Sequence, residues 1–169
     1  MEVNLSSIRE PDMTEQVTIS ATQKKAESGN LRQVSQTPEL RTGKSVRIFL
    51  VDDNADFLLG ATRFLSLTPH FQVVGTATSG RFALDQIPQL NPDLVIMDMV
   101  MPGMNGIEAA RILKSQSSSI RVILTSFQEG REYQLSAEAV GADAFLSKSG
   151  FGEHVNMFID SLFHSPKAA

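Results

Sequence analysis

The sequence predicts a doubly wound α/β domain, a five-stranded parallel sheet with five helices on its two faces. Three observations predict it. From residue 45 onward, short apolar runs alternate with amphipathic stretches, the pattern of repeated βα units. The run Leu94-Val95-Ile96-Met97 is apolar without alternation, as expected of a strand covered on both faces. Four runs also stop at polar side chains: Asp52 and Asp53 follow Val46 to Val51, Asp98 follows Leu94 to Met97, Thr125 follows Val122 to Leu124, and Lys148 follows the run Ala144 to Leu146. Parallel strands all end at one edge, and open α/β sheets place their sites outside those carboxyl ends. Three carboxylates, a hydroxyl and an ammonium are therefore expected in one pocket.

Taken in order, Val46 to Val51 reads as the first strand. Ala55 to Leu67 reads as a helix with Phe57, Leu58, Ala61, Phe64 and Leu65 on one face. Phe71 to Ala77 follows the Pro69 break as the second strand. Ser79 is placed to cap a helix that runs to about Leu90, with Pro88 expected to disturb its last turn. Asn91 and Pro92 punctuate the chain before a third strand, Asp93 to Met99. A loop with Pro102, Gly103, Asn105 and Gly106 leads into a helix from Ile107 to Ser115, then a fourth strand, Ile120 to Thr125. Gly130 to Val140 is a shorter, more polar helix stopped by Gly141. Ala144 to Ser147 is the fifth strand. The last helix, Gly152 to Phe163, carries Val155, Phe158, Ile159, Leu162 and Phe163 at helical spacing. Right-handed crossovers then put helices on both faces of the sheet.

The chain divides near Lys44. Residues 1–44 hold only scattered apolar side chains, too few to offset ordering entropy, so a flexible tail is expected there. Its six basic residues balance six acidic ones, so the net charge of −4 belongs to the domain at 45–165, with a short tail at 166–169. That charge and the lack of a basic block argue against direct nucleic-acid binding. The absence of cysteine excludes disulfides and thiolate sites. No apolar run approaches the roughly 20 residues that cross a bilayer, and the acidic, polar start is not a secretory signal, so no membrane role is expected and a cytoplasmic location is.

Asp98 is the residue hardest to explain by structure alone. A carboxylate directly after four apolar strand residues carries a desolvation cost, tolerated when it is paired or metal-bound. Asp98 capping a turn, or Asp53 or Asn54 capping the following helix, are the plain structural readings. Three carboxylates at one edge, however, repel by roughly 3 kcal/mol per pair at about 5 Å and an effective dielectric near 20. Lys148 supplies one compensating charge. An all-oxygen donor set favours Mg²⁺, or Mn²⁺, over zinc or copper. A carboxylate nucleophile, a metal, an ammonium and a hydroxyl together suit phosphoryl transfer. Met97, Met99, Met101 and Met104 around Asp98 read as packing, and His70, His154 and His164, without ligand spacing, as surface or cap residues.

Through Val51-Asp52-Asp53-Asn54, Met97 to Gly106, Thr125-Ser126 and Phe145-Leu146-Ser147-Lys148, the chain resembles the receiver domains of two-component response regulators, in flavour those of LuxR-type regulators. The match runs from about Val46 to Phe163. The resemblance implies a flavodoxin-like sheet of order 2-1-3-4-5 and a Mg²⁺-dependent transfer from a phosphohistidine to Asp98. It implies metal ligands at Asp53, Asp98 and the Val100 backbone carbonyl, with Asp52 acting through water. Lys148 and Thr125 would contact the phosphoryl group, and Thr125 and Phe145 would switch the surface. A histidine kinase or histidine phosphotransfer protein, a downstream protein and a phosphorylation-dependent dimer are the implied partners. Lys148 is followed by Ser149, so the cis peptide of many receivers is not implied, and Phe145 has no hydroxyl. A phosphatase with an Asp nucleophile would commonly carry a second Asp where Val100 stands. The expectation is a stand-alone phosphoacceptor, not an enzyme beyond slow self-dephosphorylation, with no DNA-binding output domain in the chain. A phosphorylation-independent binding module and a metal-dependent hydrolase are the alternatives.

Overall fold

Five strands, β1 (Val46–Val51), β2 (Phe71–Ala77), β3 (Leu94–Asp98), β4 (Arg121–Ser126) and β5 (Ala144–Ser147), alternate with helices α1 (Ala55–Leu65), α2 (Gly80–Leu90), α3 (Gly106–Gln116), α4 (Arg131–Ala139) and α5 (Phe151–Phe163). This is a computed structural model that describes residues 45–163. The expected tails at 1–44 and 166–169, the boundary at 165 and His164 lie outside the described residues. All neighbouring strands run parallel in the order β2-β1-β3-β4-β5. The doubly wound sheet of order 2-1-3-4-5 is therefore the observed fold.

The alternation of side chains along the strands divides the core in two. Phe49, Val51, Val95, Met97, Val122 and Leu124 face Ala83, Ile87, Ala109, Ala110, Leu113 and Ala137 of α2, α3 and α4. Their neighbours Ile48, Leu50, Leu94, Ile96, Ile123 and Leu146 face Leu58, Ala61, Leu65, Val155 and Ile159 of α1 and α5. At about 25 cal/mol per Å² of apolar surface removed from water, these two layers supply the main drive for folding. β3 is buried at every residue, which explains its unbroken apolar run.

Boundaries differ from expectation where local bonds decide them. α1 stops at Leu65, not Leu67: Leu67 and Thr68 N–H groups turn to the carbonyls of Phe64 and Leu65, as the approach to Pro69 disfavours further helix. α2 continues through Pro88 to Leu90, closed by Asn91 at φ 45° with its N–H on the Ile87 carbonyl. Arg47 of β1 donates to the Leu90 carbonyl at 2.8 Å and the Asn91 carbonyl at 3.4 Å, so the end expected to be disturbed is held. β3 is shorter than expected at both ends, and β4 lies one residue later. α5 begins one residue early, behind a 3₁₀ turn at Lys148–Gly150 whose cap is the Ser147 hydroxyl.

α3 starts hard against the end of β3. A Cβ on Gly106 would stand 1.9 Å from the Asp98 carbonyl oxygen, so only glycine fits. The Gly106 N–H reaches the Met99 carbonyl at 3.1 Å, and Asn105 caps the helix through the Glu108 N–H.

At the amino-terminal edge of the sheet, Asp143 accepts from Lys114 Nζ at 2.8 Å, Arg121 Nη1 at 2.6 Å and the Val122 N–H at 2.8 Å. Burial pushes its carboxyl up, but those three donors together outweigh burial and hold it below the ordinary 3.8. The folded form thus favours ionised Asp143. Its contribution to stability is complete above that ordinary value and is lost as pH falls through the lower folded-state value. Asp143→Asn is expected to cost about 2 kcal/mol near neutral pH and to make acid unfolding less steep, measured by urea unfolding across pH. A wild-type acid limb would exclude Asp143 as its source.

Candidate functional site

Each polar group at the carboxyl edge is placed by the strand that precedes it. The Asp52 N–H continues the β1 ladder onto the Ala77 carbonyl at 3.0 Å, which keeps its side chain inside, 1 % exposed. Asn54 caps α1 by accepting from the Asp56 and Phe57 N–H groups, while its own N–H donates to Asp52 Oδ1 at 3.0 Å. Asp53, between them, is exposed. Asp98 ends β3 and is buried; its Oδ1 accepts from the Val100 N–H at 3.2 Å. The Lys148 ammonium is 2.6 Å from Asp52 Oδ2 and 2.8 Å from Asp98 Oδ2.

The fold therefore brings Asp52, Asp53, Asp98 and Lys148 together as the strand ends predicted. Of these, Asp53, Asp98 and Lys148 border a cavity of about 310 Å³ whose lining also includes Val100, Ser126 and Phe127. Thr125 stands in register with Asp98 but is buried and is not among the lining residues; Ser126 takes that place. Phe145, in register with Leu124, is half-buried against the α2-α3-α4 side of the core. Met97, Met99 and Met101 are buried in that same core, as packing residues. His70 lies 3.4 Å from Asp160, outside the site.

Three carboxylates facing one ammonium carry a formal surplus of negative charge. Burial pushes the Asp52 carboxyl above its ordinary value, and nearby Asp98 adds to this, against the opposing pull of Lys148 and the Asn54 N–H. Asp52 Oδ2 has the ammonium as counter-charge but no aligned hydrogen-bond donor. Carboxylate oxygens of Asp52, Asp53 and Asp98 lie within 4.8 Å of one another. A hard divalent cation with an oxygen-rich shell fits this donor set, and Mg²⁺ and Mn²⁺ are such ions.

Two residues of the site were not visible as such from the sequence. Phe57 reads from its spacing as a core position, yet its ring centroid lies 4.8 Å from Lys148 Nζ. Ser126 reads as the residue after a strand end, yet it lines the cavity, and its hydroxyl accepts from the Gln128 N–H at 3.0 Å. A helical period identifies a buried face without saying which polar group shares it.

The family profile "Response regulator receiver domain" matches residues 48–156. Among curated relatives, the protein-glutamate methylesterase/protein-glutamine glutaminase of Geobacillus kaustophilus is 37% identical over 106 residues, 62% of this chain and 30% of that protein. The nitrate/nitrite response regulator NarL of Escherichia coli K12 is 36% identical over 101 residues, 60% of this chain and 47% of that protein. Among solved structures, the signal receiver domain of the response regulator NarL from Mycobacterium tuberculosis aligns at TM-score 0.68 and 31% identity, covering 73% of this chain and 100% of that one. The response regulator domain of Thermotoga maritima CheB aligns at TM-score 0.65 and 27% identity, with 73% and 100% covered. The chain spans less than half the length of these two curated relatives. The expectation that the protein is not an enzyme is corrected by these matches. It rested on the chemistry of the sheet edge, whereas similar domains occur within proteins named as methylesterases, whose remaining length this chain does not match.

The raised carboxyl of Asp52 has a sign. The folded form favours the protonated carboxyl more than the unfolded chain does, so this contribution to stability is present at acid pH and lost as pH rises through the folded-state value. Near neutral pH, Mg²⁺ is expected to raise the unfolding free energy by about 2.7 kcal/mol at a hundredfold excess over Kd, and the unfolding midpoint with it. Asp52→Asn should stabilise the metal-free protein and shrink the Mg²⁺ response. Thermal unfolding with and without Mg²⁺ checks both, and a wild-type Mg²⁺ response in the Asp52→Asn and Asp53→Asn variants would count against the site.

Proposed function

The chain belongs to the response regulator receiver domain family, and on that premise we propose that Asp98 accepts a phosphoryl group from a phosphohistidine and thereby alters a contact with another protein. The observation that carries this reading is the buried Asp98 held between the Lys148 ammonium and the Val100 N–H at the wall of an open cavity. A carboxylate so placed is oriented, partly shielded from water and reachable by a donor.

In the proposed reaction an Asp98 carboxylate oxygen attacks phosphorus, an O–P bond forms and the P–N bond to imidazole breaks. The imidazole nitrogen leaves with the electron pair and is protonated from solvent. Asp53, Asp98 and the Val100 carbonyl would hold Mg²⁺, with Asp52 acting through water. When bound, the ion supplies positive charge for the phosphoryl oxygens. Lys148, already 2.8 Å from Asp98, turns an N–H to one phosphoryl oxygen, and Ser126, which lines the cavity where Thr125 was expected, offers its hydroxyl to another. Ser126 shares a face of the sheet with Leu124, the register partner of Phe145, so its movement would make room for Phe145 to turn inward, changing the surface near α4 and α5. The phosphorylated form is favoured only through contacts the free form lacks, which is a population shift. The donor is a histidine kinase or histidine phosphotransfer protein; the responding partner is a downstream protein or a second copy of the chain.

Incubation with Mg²⁺ and acetyl phosphate, followed by intact-mass measurement, should give one added phosphate on the wild type and none on Asp98→Asn. No adduct on the wild type would favour the phosphorylation-independent binding module instead. The phosphate should also be long-lived: Val100 and Phe127, 56% and 61% exposed beside the cavity, are apolar and cannot orient an attacking water. Val100→Glu is expected to hasten its loss at least about tenfold, and an unchanged decay rate would reject this cause.

A further inference from the structure

We propose that Phe57 is a positioning residue for this site: its ring is the fixed wall that holds the Lys148 ammonium facing the cavity, and Phe127 is the movable cover on the other side. The ammonium lies 4.8 Å from the Phe57 centroid and 4.9 Å from the Phe127 centroid, inside the range in which a cation is drawn to a ring face. The two rings meet edge to face at 6.4 Å. They differ in how they are held. Phe57 is half-buried on α1 and packs edge to face on Phe151 at 5.2 Å, which in turn contacts Phe64 at 6.5 Å, so its orientation is set by the α1-α5 packing. Phe127 is mostly exposed in the loop after β4 and has only Phe57 as an aromatic neighbour among the described residues.

The chemistry gives this arrangement a purpose. Lys148 is 2% exposed in its side chain and meets two carboxylates, the nearer being Asp52. An ammonium removed from water is pulled toward the carboxylate that binds it best. Ring faces offer a second attraction that accepts no proton and uses none of the three N–H donors as a conventional hydrogen bond would. Phe57 thus balances Asp52 and leaves an N–H for an incoming phosphoryl oxygen. A leucine of similar apolar character would fill the space without the ring's field. The inference deepens the phosphoacceptor reading and rests on it for its kinetic consequence, but the ring-ammonium coupling exists independently of phosphate.

The test uses the full chain with Phe57→Leu and Phe57→Tyr, each alone and with Lys148→Met. Urea unfolding without metal yields a double-mutant cycle that removes the packing cost common to both backgrounds. Phe57→Leu should show a coupling to Lys148 of about fivefold in the folding constant, and Phe57→Tyr should retain the wild-type coupling. Lys148→Gln replaces Lys148→Met should the latter not fold. Uptake of phosphate by Asp98 from acetyl phosphate with Mg²⁺ should be about tenfold slower in Phe57→Leu and close to wild type in Phe57→Tyr. Additive effects in the cycle, or equal uptake rates for the two Phe57 variants, would overturn the proposal. If the wild type takes up no phosphate, the phosphoacceptor reading fails by itself, and the unfolding cycle alone decides whether the ring holds the ammonium.

Discussion

The contact of one lysine with two buried carboxylates is the constraint around which the domain is organised. Lys148 comes from the end of β5, Asp52 from the end of β1 and Asp98 from the end of β3, so the ion cluster closes only when non-adjacent strands stand in one sheet in register. Removing two carboxylates from water is costly, and their ammonium partner offsets only part of that. The remainder is a standing demand for positive charge at a cavity wall. The fold places this demand beside the open cavity at the carboxyl edge of the sheet.

The opposite edge of the sheet solves its electrostatics differently. There Asp143 has two cations and a backbone N–H, leaving nothing unmet. Both clusters tie β5 into the sheet, one at each end. The difference is that between a fastening and a site: burial pushes both carboxyls up, and the three donors at Asp143 outweigh it whereas Lys148 and the Asn54 N–H at Asp52 do not.

Most of the architecture was legible in the sequence because a parallel sheet writes its topology in strand ends. β1, β2 and β5 fall where the apolar runs place them, and the polar residues that end β1, β3 and β5 do converge. Thr125 was legible as a neighbour of Asp98 but not as a residue withdrawn from the cavity, since register says nothing of side-chain depth. The end of α2 near Leu90 was legible, but the hold on its last turn was not, because that comes from Arg47, 43 residues from the Leu90 carbonyl it serves. Phe57 was hidden for a related reason. The same helical face that predicts core burial also contains the residue nearest the ammonium, and only the packing of α1 on α5 separates the two roles. The enzyme question was not legible at all from the sheet edge, because similar domains occur within larger proteins of differing activity.

The tight pass of Gly106 beneath Asp98 also sets a limit for engineering. With the first residue of α3 pressed on the backbone that bears the acidic group, the intervening loop has no slack at its far end. A peptide spliced into that loop, or new chain termini opened there, would lever the helix away from the strand and unseat the carboxylate with it. Grafting tags, biosensor labels or permuted ends onto this domain is better directed to the edge where Asp143 sits, away from the acidic pocket.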